Sequence, residues 1–361
     1  IIPYNQQVYM DTALMARLNL ANSTQTVVDP PAVPGAITAY QTMAPASRCA
    51  SFADEDFDTR RLAEAAAIDV AASFSTNNNN NYNNMGEGAY WCGDNWPMVM
   101  LYQNNETSLH THIDSLTNQG WTAIDYGMNW AVGVLDPSFR AVVTDMVDDG
   151  DAPEAARDHP VAYGTQEVLK YVVLMTDGTN TLQQDLVPSM KSGPSRVWWS
   201  ETLADGEEID GYLFEMPDNA PAQRWLVPGD PKNDGDDTYL AEGALPADAE
   251  QWTKHEMFRR FSVKNVAEYF YDMTEDEFID AYVIEGGYGT ADTNLRDICS
   301  KAKEDDDIEV FSVAFEAPDS SATLLEECSS GDGYFFDVDG AQISEAFSAI
   351  AVQISLLRLT E

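Results

Sequence analysis

The sequence predicts an α/β fold: a mostly parallel sheet flanked by helices, with large loop and insertion regions. Two short, continuous apolar runs, Lys170–Met175 (KYVVLM) and Ile308–Phe315 (IEVFSVAF), read as strands buried on both faces, the pattern of a parallel sheet. Segments of helical spacing separate the strands, and strand–helix alternation marks this class. The 361 residues are 44% apolar and include 8 Trp, enough for a sizeable core in one large domain or two modest ones.

In chain order, Ile1–Met10 (IIPYNQQVYM) reads as a strand, so the chain opens inside a strand. Residues 29–50 are Pro- and Ala-rich and read as loop. Leu62–Phe74 (LAEAAAIDVAASF) has helical composition, and Asn77–Asn84 (NNNNNYNN) reads as a polar surface loop. Leu109–Leu116 resembles a short helix ending at Asn118-Gln119-Gly120. In GWTAIDYGMNWAVGVLDP, Ile124, Met128, Ala131 and Leu135 recur at helical spacing until Asp136-Pro137. Residues 182–289 are turn-rich and acidic and read as an insertion, with one helix within Trp252–Met273. Thr293–Lys303 is a helix and Gly333–Val338 (GYFFDV) a short strand. Asp339-Gly340 leads into a final amphipathic helix with Ile343, Phe347, Ile350 and Ile354 on one stripe. Residues 1–181 and 290–361 therefore form one α/β domain, interrupted at about 29–105 by a segment carrying Cys49 and Cys92. Residues 182–289 form an acidic insertion subdomain.

Asp and Glu number 61 against 19 Lys and Arg, a formal charge of −42. That field repels nucleic acid and anionic lipid and favours divalent cations, salt tolerance and solubility. No apolar run approaches the ~20 residues that cross a bilayer, and any export signal or anchor is expected upstream of Ile1. Cys49, Cys92, Cys299 and Cys328 form no CxxC pair, and with four His a zinc site is not expected. Two disulfides in an oxidising compartment account for them. Three connectivities exist, and the intervals suggest Cys49–Cys92 and Cys299–Cys328. No nucleophile–base set, GxSxG turn or phosphate loop occurs, so an enzyme is not expected.

Ligands of open parallel sheets sit at the carboxyl ends of strands, and Asp177 in YVVLMTDGTNT lies just past one. LMTDG after a buried strand resembles the fourth-strand signature of von Willebrand factor A domains. GWTAIDYGMNW resembles their Thr-bearing loop. In that family a metal-ion-dependent adhesion site holds a divalent cation with an Asp-x-Ser-x-Ser loop, this Thr and this Asp. The resemblance places the Thr at Thr122 and the Asp at Asp177, oxygen donors suited to Mg²⁺. SLTNQGWTAIDYGMNWAVGVLDPSFR, YVVLMTDGTNT, LRDICSKAKEDDDIEVFSVAFEAP, LLEECSSGDGYFFDV and AFSAIAVQISLLRLTE together resemble the C-terminal part of TadG-like proteins of bacterial Tad (Flp) pilus assembly. This covers roughly residues 1–20, 109–182 and 293–361 and implies a Cys299–Cys328 pair.

The sequence departs from the family in one place: no Asp-x-Ser-x-Ser occurs, and DSLTN, DPSFR and DSSAT do not follow a buried strand and open a helix. The resemblance makes Ile1–Val8 the second strand, so the first strand and its serine loop are expected upstream of Ile1 or from another chain. A neighbouring copy or an N-terminal fragment adding a strand beside Ile1–Val8 is one expected partner.

Gly229–Asp237 (GDPKNDGDD) concentrates oxygen ligands, and Asp230, Asp234 and Asp236 are candidate Ca²⁺ ligands, although Lys232 and Ala241 stand where an EF-hand needs ligands. Trp91, Trp96, Trp121, Trp130, Trp198 and Trp199 fit core packing better than an exposed patch. Asn180 reads as satisfying loop amides. The leading expectation is a secreted or otherwise extracytoplasmic bacterial adhesion or assembly protein of a Tad-type pilus, binding protein partners through a partial adhesion site with Mg²⁺ or Ca²⁺. The alternative is a structural subunit of a surface filament or coat with a degenerate metal site.

Overall fold

A computed structural model describes residues 1–21, 47–64, 67–76, 90–92, 96–118, 120–166, 168–203, 211–217, 219–228, 237–285 and 288–360. Asp230, Asp234, Asp236 and the Asn77–Asn84 loop lie outside the described residues. The chain is mixed α/β, with several small sheets, one of them parallel.

The elements that position the site run as follows: β1 (Ile68–Val70), α1 (Ile124–Gly133), β2 (Tyr171–Thr176), β3 (Gln184–Leu186), α2 (Pro188–Lys191) and β4 (Pro194–Trp199). Then come β5 (Tyr212–Glu215), β6 (Trp225–Val227), β7 (Thr238–Leu240), β8 (Glu250–Thr253), α3 (Lys254–Arg260) and β9 (Val283–Glu285). The chain closes with α4 (Tyr288–Lys303), β10 (Glu309–Phe315), α5 (Asp319–Cys328), β11 (Phe335–Val338) and α6 (Ile343–Thr360).

β10 is the centre of a parallel sheet of order β11-β10-β2. Its register against β2 runs from Glu309 opposite Tyr171 to Ala314 opposite Thr176. Val172 and Leu174 on β2 and Val310 and Ala314 on β10 face the main core, which also holds Ile124, Met128, Leu295, Ile298 and Leu325. Phe311 and Val313 face the other way, against Ile350 of α6. The Cys299–Cys328 disulfide ties α4 to α5 at a Cα separation of 5.1 Å, and Cys49–Cys92 spans 5.8 Å, both ordinary for a bridge.

β2 ends the sheet, and this corrects the expectation of a strand buried on both faces. Val173 and Met175 are each 40% exposed. Glu309 N donates to Lys170 O, which turns the even-numbered peptide groups of β2 toward β10. Val173 and Met175 therefore turn theirs outward, and the Tyr4 hydroxyl caps Met175 O at 2.7 Å.

Three further expectations fail. Ile1–Met10 is not a strand; Tyr9 alone bridges, to Cys49 and Met98. Pro3 lacks a donor, and the Asn5 side chain accepts from Gln7 N at 3.1 Å, which bends the chain back on itself. Nor do the described residues of Leu62–Phe74 form a helix. The segment carries β1 and the start of the two-residue strand Phe74–Ser75, because pairing of Ile68 and Val70 into a sheet overrides the propensity of the flanking Ala run. Along α6, Phe347 is 44% exposed and Ala346 is buried instead, so the packed stripe runs through Ala346, Ile350 and Ile354.

Residues 182–285 hold a second, aromatic-rich core under an antiparallel sheet of order β7-β6-β5-β4-β8. Phe214, Phe261 and Phe270 meet there, with ring centroids 4.4 to 5.7 Å apart. β3 and β9 form a separate antiparallel pair that connects this region to the parallel sheet in sequence. No described helix is long and apolar enough to cross a membrane.

Candidate functional site

The structure brings Thr122 and the TDG loop together at the carboxyl end of β2. Thr181 N donates to Thr122 O at 2.8 Å, and Thr122 N donates to the Thr181 hydroxyl at 2.8 Å. Gly178 is required by this approach: a Cβ there would sit 2.7 Å from Thr122 Oγ1. Thr122 is half-buried, and Asp177, next to Gly178 in the loop packed against it, is exposed at the rim of this end of the sheet. Trp121 corrects the expectation of core packing: it is 45% exposed, at the start of the same segment, with its ring 5.6 Å from that of the buried Trp91.

Thr122 is not the cap of the helix that follows. Ala123 occupies that position and has no side chain to offer. The Ile124 amide, at the helix start where no intrahelical acceptor exists, instead donates to Asn180 Oδ1 at 2.9 Å, and Asn180 Nδ2 donates to Asp292 at 3.3 Å. One side chain of the TDG loop thus fixes the start of α1 and links it to α4. Tyr4 lies across the same end of the helix, where a Cβ on Gly127 would come within 2.4 Å of its ring.

Beneath the rim lies a group that sequence reasoning missed. Asp125, in the first turn of α1, is 1% exposed, and its Oδ1 has no hydrogen-bond partner. Burial pushes its carboxyl up to about 8, and the charges of Asp292 and Asp54 add to the effect against the pull of its local backbone amides. At neutral pH it is protonated. Asn129 Oδ1, one turn on, is likewise buried and unpartnered. Burial also raises the Tyr4 phenol, with Asp177 and Asp125 acting in the same direction. The sequence holds a signal for this: nine of the ten α1 residues are buried, and IDYGMNWAVG is apolar nearly all round rather than along one stripe. A polar residue inside such a helix is a buried polar residue.

The donor chemistry at this end of β2 is the kind a hard cation takes. Thr122 Oγ1 and the Asp177 carboxylate are hydroxyl and carboxylate oxygens beside open solvent, and Mg²⁺ keeps several waters at such sites. Among the described residues no group of three or more His, Cys, Asp or Glu could hold a metal ion, so nothing here forms a closed cage. No protein-family model, curated protein or solved structure matches this chain.

Proposed function

We propose that this chain is an extracytoplasmic adhesion or assembly module that binds a protein partner at the carboxyl end of β2. In this reading the fold is von Willebrand factor A-like, the protein is related to TadG-like pilus-assembly proteins, and the rim is a partial metal-ion-dependent adhesion site. The observation that carries the reading is the close packing of Thr122 against the loop that carries Asp177, through Gly178 and the paired Thr122–Thr181 hydrogen bonds. Thr122 and Asp177 would hold Mg²⁺, which supplies a Lewis-acidic position for a partner carboxylate. Trp121 supplies an exposed aromatic contact at the edge of the same patch. The two disulfides fit the compartment. The test is a crystal soaked in Mn²⁺. Anomalous density between Thr122 and Asp177 supports the reading, and density confined to other carboxylates sinks it.

A second reading, a structural subunit assembled by strand addition, is favoured by the outer edge of β2. Exposed Val173 and Met175 lie on that edge with their peptide groups turned outward, the Met175 carbonyl meeting the Tyr4 hydroxyl, which an added strand would displace. This moves the expected strand from Ile1–Val8, which is not a strand, to β2. Val173→Lys and Met175→Lys together would abolish concentration-dependent assembly in light scattering. Unchanged assembly would remove this reading.

A further inference from the structure

Away from the rim, one lysine is buried among carboxylates in an arrangement that resembles a reaction site more than a surface ion pair. Lys191, the last residue of α2, is 2% exposed. Its Nζ donates to Asp69 Oδ2 at 2.8 Å, to Val70 O at 3.1 Å and, in a very short contact, to Asp185 Oδ2. Asp185 is 6% exposed, and its second oxygen, Oδ1, accepts from two backbone amides, Ala72 N and Leu186 N, each at 2.8 Å. Val70, Ala72, Leu186 and Met190 close apolar surface around the group. Asp69, on β1, is partly exposed, so it can exchange protons with solvent.

We propose that Lys191 and Asp185 form an intramolecular isopeptide bond, with Asp69 as the proton shuttle. Each part of an amide-forming site has a counterpart here. Lys191 Nζ is the nucleophile, held against one carboxylate with no translational freedom left to lose. Asp185 Cγ is the electrophile. The Ala72 and Leu186 amides already point at Oδ1, where negative charge develops in the tetrahedral intermediate. The ammonium first passes one proton to Asp185 Oδ2, leaving an amine facing a carboxylic acid. The amine attacks Cγ, a C–N bond forms, and the C=O electron pair moves to Oδ1. Asp69 then takes a second proton from nitrogen and delivers it to the Oδ2 hydroxyl. The Cγ–Oδ2 bond breaks, water leaves, and the carbonyl re-forms. One ammonium and one carboxylate become one neutral amide and one water, with no redox change and no co-reactant. The reaction also removes two charges from a site where ions are costly to keep.

The Lys191 ammonium is pulled down by burial, but Asp185 and Asp69 outweigh that and leave it raised. The Lys191 amine therefore holds its proton at rest, and the loss of that proton is the step that needs Asp69 beside it.

Intact mass spectrometry of the full purified chain under denaturing conditions decides the question. The expected mass lies one water below that of the disulfide-bonded sequence, in essentially the whole population. Trypsin should then fail to cut after Lys191. The peptide from Tyr171 to Arg196 should appear uncut and one water light. Asp69→Asn should restore the full mass and cleavage at Lys191, and Lys191→Arg should restore the full mass. A wild-type mass reduced only by the disulfide hydrogens overturns the proposal, as does a cross-link that maps to Asp69 instead of Asp185. The wild-type measurement stands even where a variant fails to fold.

Discussion

Asp125 at the carboxyl end of the parallel sheet and Asp185 at the seam between β1 and β3 are both buried, at 1% and 6% exposure, but in opposite company. Asp185 meets a lysine and two backbone amides. Asp125 meets the charges of two further carboxylates, Asp292 and Asp54, and takes up a proton instead. The difference separates two jobs. The seam is electrostatically complete and joins segments distant in sequence. The rim is rich in acid on the side of a chain that already carries −42, and a site of that sign suits an external cation.

Removing the lysine should have the largest effect. Lys191→Met strands the buried Asp185 carboxylate, and chemical denaturation should show a loss of about 3–5 kcal/mol. An unchanged denaturation midpoint would mean that the seam holds nothing together.

Asp125 should behave in the opposite sense. Its carboxyl lies at about 8 in the folded chain against an ordinary value of 3.8. Between those values the native state holds a proton that the unfolded state lacks, so the Asp125 contribution falls as pH rises from about 4 to about 8 and is flat above that. Asp125→Asn removes this slope. At pH 9 it should stabilise the protein by up to about 5 kcal/mol relative to wild type, and by little or nothing at pH 4. Parallel stability–pH curves for the two proteins would contradict the assignment.

A smaller effect is expected at the rim itself. Gly178→Ala places a methyl 2.7 Å from Thr122 Oγ1 and should cost about 1–3 kcal/mol while spreading the loop. Urea denaturation reads the cost. A neutral result would show that the loop and Thr122 are not held together.

What the sequence made legible follows from where periodicity and chemistry coincide. The run Tyr171–Thr176, the turn at Asp177 and the helix after Thr122 are local signals, and the structure places all three. The α4 helix and the β10 and β11 strands were legible for the same reason. The exposure of Val173 and Met175 was not, because an apolar run does not say whether a neighbouring strand is present. Leu62–Phe74 was misread because its Ala residues favour helix while Ile68 and Val70 answer to distant partners, Leu20–Ala21 and Ala50–Ser51. The Lys191–Asp185–Asp69 group joins residues up to 122 positions apart and carries no local pattern at all. Asp125 was within reach, since an Asp in a helix apolar on every side has nowhere exposed to go.

Calorimetric titration of Mg²⁺ into the metal-free chain, beside the Asp177→Ala variant, tests the central claim most directly. A saturable heat of binding in the wild type, lost in Asp177→Ala and retained in Asp185→Asn, is the expected result. Identical isotherms for wild type and Asp177→Ala would contradict a cation site at the end of β2.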